Sequence, residues 1–152
     1  MKDPIKQGID DVLSKVRDGV LAITDGKIPY CIPFGFVYVN EAIYLSMFPM
    51  GRKWGYIQQN PMACFNVFHW NEDFTEWFSV VVEGKLEPVT DIETVKLVIK
   101  ANIEKIGLDP EKYLEKRMAY YQKNLDNPKG LKLFKLDAKE AKGKKMHTTV
   151  GT

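Results

Sequence analysis

Two adjacent cations, Arg52 and Lys53, stand where a hydrophobic strand ends and a short helix begins, in the segment GRKWGYIQQNP (residues 51–61). The partial positive charge at a helix N-terminus favours anions and disfavours cations, so this pair does not stabilise the helix. An anion bound at the helix start would explain the pair. The sequence therefore predicts an anion site at these two residues, and the alternative is a solvated helix start.

The other residue types that could do chemistry form no known constellation. His69 and His147 lie far apart and lack HxxxH or HExxH spacing, so we predict no metal site. The sequence contains no P-loop, GxGxxG or GxSxG segment. Cys31 and Cys64 lie in apolar strand-like segments without CxxC spacing, which predicts buried, reduced thiols in a cytosolic protein.

Length, composition and charge exclude several classes of protein. A chain of 152 residues, 45% hydrophobic and 28% charged, is typical of one globular domain with a sizeable core. A net charge of +2, spread evenly, gives no electrostatic reason for nucleic-acid binding. The start, MKDPIKQGIDDVL, carries charges where an export signal is apolar, and no apolar run approaches the roughly 20 residues of a membrane helix. We therefore expect a cytoplasmic protein without a membrane partner.

The hydrophobic period predicts the elements that position these residues. Helix-start signals precede three apolar stripes, at Asp3 and Pro4, at a capping box formed by Thr90 and Glu93, and at Asp109 and Pro110. The first of these stripes ends at Gly19. β-Branched and aromatic runs between short turns predict antiparallel strands at residues 20–24, 29–39, 42–48, 62–70, 77–89 and 131–136.

Five or six antiparallel strands with helices around them predict an α+β domain over residues 1–136, a closed or half-closed barrel. Pro33 and Gly35 interrupt the second strand and predict a bulge or a close approach to the backbone. Residues 137–152 are rich in lysine and poor in apolar residues, which predicts a basic, flexible C-terminal tail.

Five fragments in a fixed order carry a family resemblance: IYLS at 43–46, GRK at 51–53, NP at 60–61, an aromatic-rich strand ending in Trp70, and SVVVEG at 79–84. Together they resemble the pyridoxamine 5'-phosphate oxidase-related, FMN-binding split-barrel family. The resemblance runs from about residue 19 to residue 89, nearly half of the chain. It implies an antiparallel split β-barrel with flanking helices.

The same resemblance implies a set of cofactor-binding residues. Arg52 and Lys53 would grip the FMN phosphate, and Ser46 and Met47 would contact the cofactor from the preceding strand. The backbone of the interrupted second strand would lie against the isoalloxazine ring, and one polar contact would come from the neighbouring subunit. These further positions are Ile32, Pro33, Phe34, Phe36 and, from the neighbouring subunit, Ser79. For both serines the alternative is an outward-facing strand residue.

The resemblance also implies a function. It is that of a homodimer with FMN at the subunit interface, an oxidoreductase that transfers hydride or electrons to or from a small organic substrate. Because the cofactor carries the reactive atom, no catalytic side chain is predicted. Trp54, Trp70 and Trp77 could wall a flavin or substrate pocket, but core or dimer-interface anchors are the favoured interpretation.

Two departures from pyridoxamine 5'-phosphate oxidase itself bear on the substrate. The last residues, KGKKMHTTVGT, contain neither the arginine nor the tryptophan that hold that enzyme's substrate, and residues 91–125 insert two helices. We therefore do not expect vitamin B6 oxidation. An F420-dependent reductase and a non-catalytic flavin- or haem-binding protein are the alternative hypotheses.

Overall fold

Four helices and nine strands make up residues 3–148, the part of the chain that this computed structural model describes. The helices are α1 (Pro4–Lys15), α2 (Gly51–Gln59), α3 (Ile92–Lys105) and α4 (Pro110–Leu125). The strands are β1 (Asp18–Thr24), β2 (Pro29–Gly35), β3 (Val37–Val39), β4 (Ala42–Met47), β5 (Met62–Trp70), β6 (Glu76–Lys85), β7 (Glu87–Val89), β8 (Lys132–Asp137) and β9 (Lys142–His147).

The strands form two antiparallel sheets in the described part of the chain. The larger sheet has the order β2-β1-β5-β6-β9, and the smaller has the order β3-β4-β8-β7. The two sheets remain separate and do not close into one cylinder. The α+β class and the antiparallel split β-barrel are therefore confirmed, in the open rather than the closed form.

The chain changes sheets at Phe36, inside the segment predicted as one strand over residues 29–39. β2 belongs to the larger sheet and β3 to the smaller one. The Phe36 N–H donates to the carbonyl of Arg17 at 3.3 Å, and the side chain is buried against Phe65, with ring centroids 5.3 Å apart. The predicted strand over 77–89 divides in the same way at Leu86, whose N–H donates to the carbonyl of Pro61 at 2.9 Å.

The interruption at Pro33 has a simpler cause than the predicted bulge. β2 pairs with β1 without a break in register, from Asp18 opposite Gly35 to Thr24 opposite Pro29. Because β2 is the edge strand of its sheet, a residue without an N–H can point its nitrogen away from the ladder. Proline is therefore accommodated in a regular strand, and the bulge prediction is wrong.

Two hydrophobic clusters hold the elements together. The first lies between the two sheets and α1, with Leu13, Leu21 and Phe65 fully buried. The second lies between the smaller sheet and the α3–α4 hairpin, where Val95 and Ile103 are fully buried. Each fully buried aliphatic side chain contributes about 1.5–3 kcal/mol of stabilisation, so both layers contribute strongly to the fold.

Helix starts agree with prediction at two positions and differ at one. Asp3 accepts a hydrogen bond from the Ile5 N–H at 3.0 Å, and Asp109 caps α4 in the same way. α3 is capped by Asp91, which accepts from the Thr94 N–H at 3.0 Å. The capping box at residues 90–93 is therefore wrong by one position, because a carboxylate outcompetes the neighbouring hydroxyl for the exposed N–H groups. α1 ends at residue 15, before the predicted end at residue 19.

Residues 142–147, assigned from composition to the tail, form strand β9 at the edge of the larger sheet. Gly143 lies opposite Val80, and a Cβ there would meet the Phe78 ring at 2.7 Å and Ile9 at 2.8 Å. Lys145 pairs with Glu76 at 2.6 Å. The strand can pair with β6 because Gly143 leaves room for the Phe78 ring. The lysine-rich composition of this segment gave no sign of that contact. No helix in residues 3–148 is both long and apolar enough to cross a membrane.

Candidate functional site

A groove of about 330 Å³ runs between β2, the end of β4 and the start of α2. We call it the strand groove. The residues that line it are Ile32, Pro33, Phe34, Ser46, Met47, Phe48, Lys53 and Leu131. Six of these belong to the set that the sequence assigned to a cofactor: Ile32, Pro33, Phe34, Ser46, Met47 and Lys53. β2 and β4, which lie in different sheets, meet here because the chain crosses between sheets next to the groove.

The strand groove is apolar along its walls and polar at few points. Ile32 and Phe34 pack on the first hydrophobic cluster, the one between the two sheets and α1, which we call the main core. Met47 is buried. The Ser46 hydroxyl and the Lys53 ammonium are the polar side-chain groups among the lining residues. Such a combination is typical of a site for an amphipathic ligand, with a flat apolar portion and an anionic end.

The start of α2 leaves backbone donors available beside Lys53. The preceding residue, Met50, makes no side-chain capping hydrogen bond, and the first turn carries no acidic residue. Gly51 has φ of +82°, a left-handed conformation that L side chains rarely adopt. The first N–H groups of α2 and the Lys53 ammonium could therefore be used by an anion, and the anion site stays a prediction.

Arg52 does not line the strand groove. Its guanidinium carbon lies 4.1 Å from the centroid of the Tyr30 ring, and its Nε donates to the Tyr56 hydroxyl at 3.1 Å. Successive helix residues point about 100° apart, so Arg52 and Lys53 face different directions at one helix start. A ligand that uses both cations therefore has to extend beyond the strand groove, or Arg52 has to turn toward it.

Phe36 and Ser79, the two other predicted cofactor residues, also lie outside the strand groove. Phe36 is buried in the main core and lines the neighbouring cleft. Ser79 lies on β6, where its hydroxyl accepts a hydrogen bond from Asn66 Nδ2 at 2.9 Å. Its neighbour Val80 is buried in the core, so Ser79 occupies the outer face of the larger sheet. A role for Ser79 requires a second subunit.

A second cavity, of about 500 Å³, lies between the α3–α4 hairpin and the junction of the two sheets. We call it the hairpin cleft. Phe34 and Ser46 line both the strand groove and the hairpin cleft, so the two are adjacent. The Ser46 Oγ and the Tyr121 hydroxyl lie 3.1 Å apart in a hydrogen bond that joins β4 to α4.

Three cations line the hairpin cleft: Arg17, Lys105 and Arg117. Lys105 Nζ donates to the Phe36 carbonyl at 2.9 Å and lies 3.9 Å from the centroid of the Phe36 ring. Burial lowers the pKa of Lys105 to about 8. The nearby Arg17 lowers this pKa further, and the Asp18 carboxylate raises it. Half-burial of an ammonium group therefore carries a cost that a bound anion would offset.

Sequence reasoning missed the cations of the hairpin cleft on α3 and α4. It described both helices by their apolar stripes and assigned no role to Lys105 or Arg117. A signal was present, because Val98, Asn102 and Lys105 follow one another at i, i+4 and i+7 on one face of α3, so a polar patch interrupts the apolar stripe. Arg117, one helix further on, donates to Asn102 Oδ1 at 2.9 Å.

The aromatic residues divide between the core and the outer face. Trp54 packs against the main core, with its ring 5.9 Å from that of Phe134, which confirms the favoured interpretation for this residue. Trp70 and Trp77 stack 5.9 Å apart at the β5–β6 hairpin, and Phe68 extends the cluster. Their role as interface anchors stays a prediction.

The histidines lie in no cluster of candidate metal ligands within the described residues, and the cysteines differ from expectation. Residues 3–148 contain no group of three or more His, Cys, Asp or Glu side chains that could hold a metal ion. Cys31 is exposed and Cys64 half-buried, both as free thiols, so the prediction of buried thiols is wrong. The two lie on the outer face of the larger sheet, where each is paired opposite Ala22.

A family model described as pyridoxamine 5'-phosphate oxidase matches residues 6–145. No curated protein matches the chain.

Solved structures share the fold across nearly the whole chain. A candidate 5-nitroimidazole antibiotic resistance protein from Bacteroides thetaiotaomicron is 22% identical, with a TM-score of 0.73 over 95% of this chain and 85% of that one. A FAD-binding protein from Mesorhizobium loti is 22% identical, with a TM-score of 0.64 over 92% of each chain. The FAD and haem binding protein of Mycobacterium smegmatis is 13% identical, with a TM-score of 0.68 over 95% of this chain and 71% of that one.

Proposed function

We propose, from the premise that this chain belongs to the pyridoxamine 5'-phosphate oxidase family, that it binds FMN in the strand groove and acts as a flavin-dependent oxidoreductase. The observation that carries this proposal is the lining of the groove. Six side chains from three elements, expected from the family resemblance to contact FMN, line one concave surface. The proposed substrate is a small organic molecule.

The donor set of the strand groove fits a flavin mononucleotide. Ile32 and Phe34 offer an apolar wall to a flat ring, and Ser46 offers a hydroxyl to the ribityl or phosphate oxygens. Lys53 and the uncapped N–H groups of α2 suit a phosphate, which binds at helix starts through backbone donors and positive charge. The flavin, when bound, supplies hydride or electron transfer, and the protein supplies position and electrostatics.

Flavin binding in the named structural relatives supports this assignment. The Mesorhizobium loti and Mycobacterium smegmatis proteins carry FAD in their names, and the latter also carries haem. In the strand groove of this chain, the two features that suit a phosphate are the Lys53 ammonium and the N-terminus of α2 beside it. One phosphate group is the smallest ligand that uses both, which favours FMN over the larger dinucleotide.

An absorbance spectrum of the purified protein tests the cofactor directly. We expect flavin bands that are released on denaturation and carry the mass of FMN, and a protein isolated without colour should take up added FMN. A Soret band would indicate haem, and the mass of FAD or F420 would replace the FMN assignment. A colourless protein that takes up no FMN would contradict the proposed function.

The partner in this proposal is a second copy of the chain, packed on the outer face of the larger sheet. Phe68 on that face is 50% exposed, next to Trp77 and Ser79 on the adjacent strand. An exposed aromatic cluster on an open sheet face is the kind of surface that a subunit interface buries. A second subunit there would also bring Ser79 toward the cofactor of its neighbour.

Light scattering should give a mass of about twice 17.5 kDa, also at high salt because the contacts are mainly apolar. Phe68→Glu should shift the protein toward the monomer. Tyr120→Glu is the matched control, since Tyr120 is 51% exposed on α4, away from this face. A protein that stays monomeric while it holds FMN tightly would contradict both the interface and the role of Ser79.

A further inference from the structure

The hairpin cleft carries a surplus of positive charge that the described chain does not neutralise. Arg17, Lys105 and Arg117 line it, against a single carboxylate, Asp18. Within residues 3–148, none of the three cations has a carboxylate oxygen within 4.0 Å. Exposed cations commonly lack partners, but Lys105 is only partly exposed, and its Nζ hydrogen-bonds to a neutral carbonyl. The charge that would complete its environment is an anion.

The remaining walls of the hairpin cleft favour a flat apolar body. Phe34 and Phe36 lie on one side, and Ile99 and Tyr121 belong to the helices opposite. Aromatic and aliphatic side chains of this kind bury ring surfaces, and a volume of about 500 Å³ lies within the range of small-molecule sites. Asn102 adds an amide that can orient a polar substituent.

We propose that the hairpin cleft binds a small aromatic anion, with its carboxylate or phosphate group held by Arg17, Lys105 and Arg117 and its ring against the half-buried Phe34 and Tyr121. The anionic group is the recognition element, because three cations from separate parts of the chain line one cavity: Arg17 directly before β1, Lys105 on α3 and Arg117 on α4. Arg117 is oriented by Asn102, at 2.9 Å, so part of the site is ordered before the ligand binds.

The position of the hairpin cleft gives this ligand a role. Phe34 and Ser46 separate the cleft from the strand groove, so a ring bound in the cleft lies beside the proposed flavin site. Anion binding by the cleft is independent of the proposed function. The further statement that the anion is the substrate rests on FMN occupying the groove.

Calorimetric titration with 4-hydroxybenzoate, phenyl phosphate and the neutral 4-hydroxybenzamide tests the anion site. Both anions should bind, and the amide should bind at least about ten-fold more weakly, because it lacks the charge that the cations hold. The tighter of the two anions identifies the anionic group. Equal binding of the amide, or binding of inorganic phosphate as tightly as phenyl phosphate, would overturn the proposal.

Substitutions in the hairpin cleft locate the site. Lys105→Met should weaken the better anion by about ten-fold or more. Arg117→Gln, which keeps a donor for Asn102, should have a similar effect. Lys100→Met is the matched control, because Lys100 is exposed on the same helix. This variant should bind the anion with the same affinity as the unmodified chain. Unchanged anion affinity in both cleft variants, with unfolding midpoints like that of the control, would overturn the proposal.

FMN titration of the same proteins separates the two proposals. If the cleft variants lose the anion and keep FMN, both proposals are supported. Anion binding without any FMN uptake would contradict the proposed function and leave the cleft proposal intact. FMN uptake without anion binding would overturn the cleft proposal alone.

Discussion

Replacing Lys53 by alanine should raise the dissociation constant of FMN by about ten- to a hundred-fold and leave riboflavin binding almost unchanged. Lys53 contributes the ammonium that lines the strand groove, and hydrogen bonds to charged groups contribute roughly 1.5–3 kcal/mol each. Riboflavin has no phosphate for this cation to hold. Fluorescence titration of both ligands measures the difference.

Arg52→Ala tests the second cation of the proposed phosphate site, and its effect on FMN affinity can be compared with that of Lys53→Ala. Arg52 is not a lining residue of the groove and packs on the Tyr30 ring, so any loss of that contact on turning toward a ligand offsets part of its gain. We therefore expect the FMN affinity to fall less than with Lys53→Ala, again with little change for riboflavin. Equal losses for both ligands in either variant would mean that the pair does not bind phosphate. Both variants should fold, since a cation at a helix start is unfavourable by about 0.3–1 kcal/mol.

Gly143→Val should lower the free energy of unfolding by about 1–3 kcal/mol, the usual cost of overpacking a filled site. A Cβ at Gly143 would already lie 2.7 Å from the Phe78 ring and 2.8 Å from Ile9, so the larger side chain must displace one of them. A lower midpoint in urea at unchanged slope is the expected result.

The matched control for this variant is Lys142→Val. It adds the same β-branched side chain to the preceding residue of β9, which is exposed on the opposite face of the sheet and lies opposite Val81, away from Phe68 and Trp77. We expect its free energy of unfolding to stay within about 0.5 kcal/mol of that of the unmodified chain, the normal range for surface changes. If both variants behave alike, β9 does not dock through its glycine.

The class of the fold could be predicted because local signals repeat along the chain. Alternating β-branched and aromatic runs, and proline after Asp3 and Asp109, mark strands and helix starts wherever they occur. The two strand breaks could not be predicted in this way. Phe36 and Leu86 are apolar residues inside apolar runs, and only the position of other strands decides that the chain must change sheets there.

Six lining residues of the strand groove could be named from the sequence because the family resemblance covers them and they lie close together between residues 32 and 53; Leu131, from a distant segment, was not named. The hairpin cleft combines residues near positions 17, 35, 45, 102 and 117, and no local pattern brings these together. The orientation of the Arg52 side chain could not be predicted from the sequence either. A spacing of one residue shows that two cations share a helix start, and the ring of Tyr30, twenty-two positions earlier, decides where the first of them points.

The α3–α4 hairpin enters and leaves the smaller sheet at two neighbouring strands. β7 pairs directly with β8, with Pro88 opposite Phe134, so both helices form a single long connection within one hairpin of the sheet. Closure entropy grows slowly with loop length, at about 0.6 kcal/mol per doubling. A change in the length of this connection would leave the ladder between β7 and β8 in place, provided that the helices still cover the apolar face of the smaller sheet. The helical wall of the hairpin cleft can vary in this way, whereas β2, β4 and the start of α2, which form most of the strand groove, lie outside the connection.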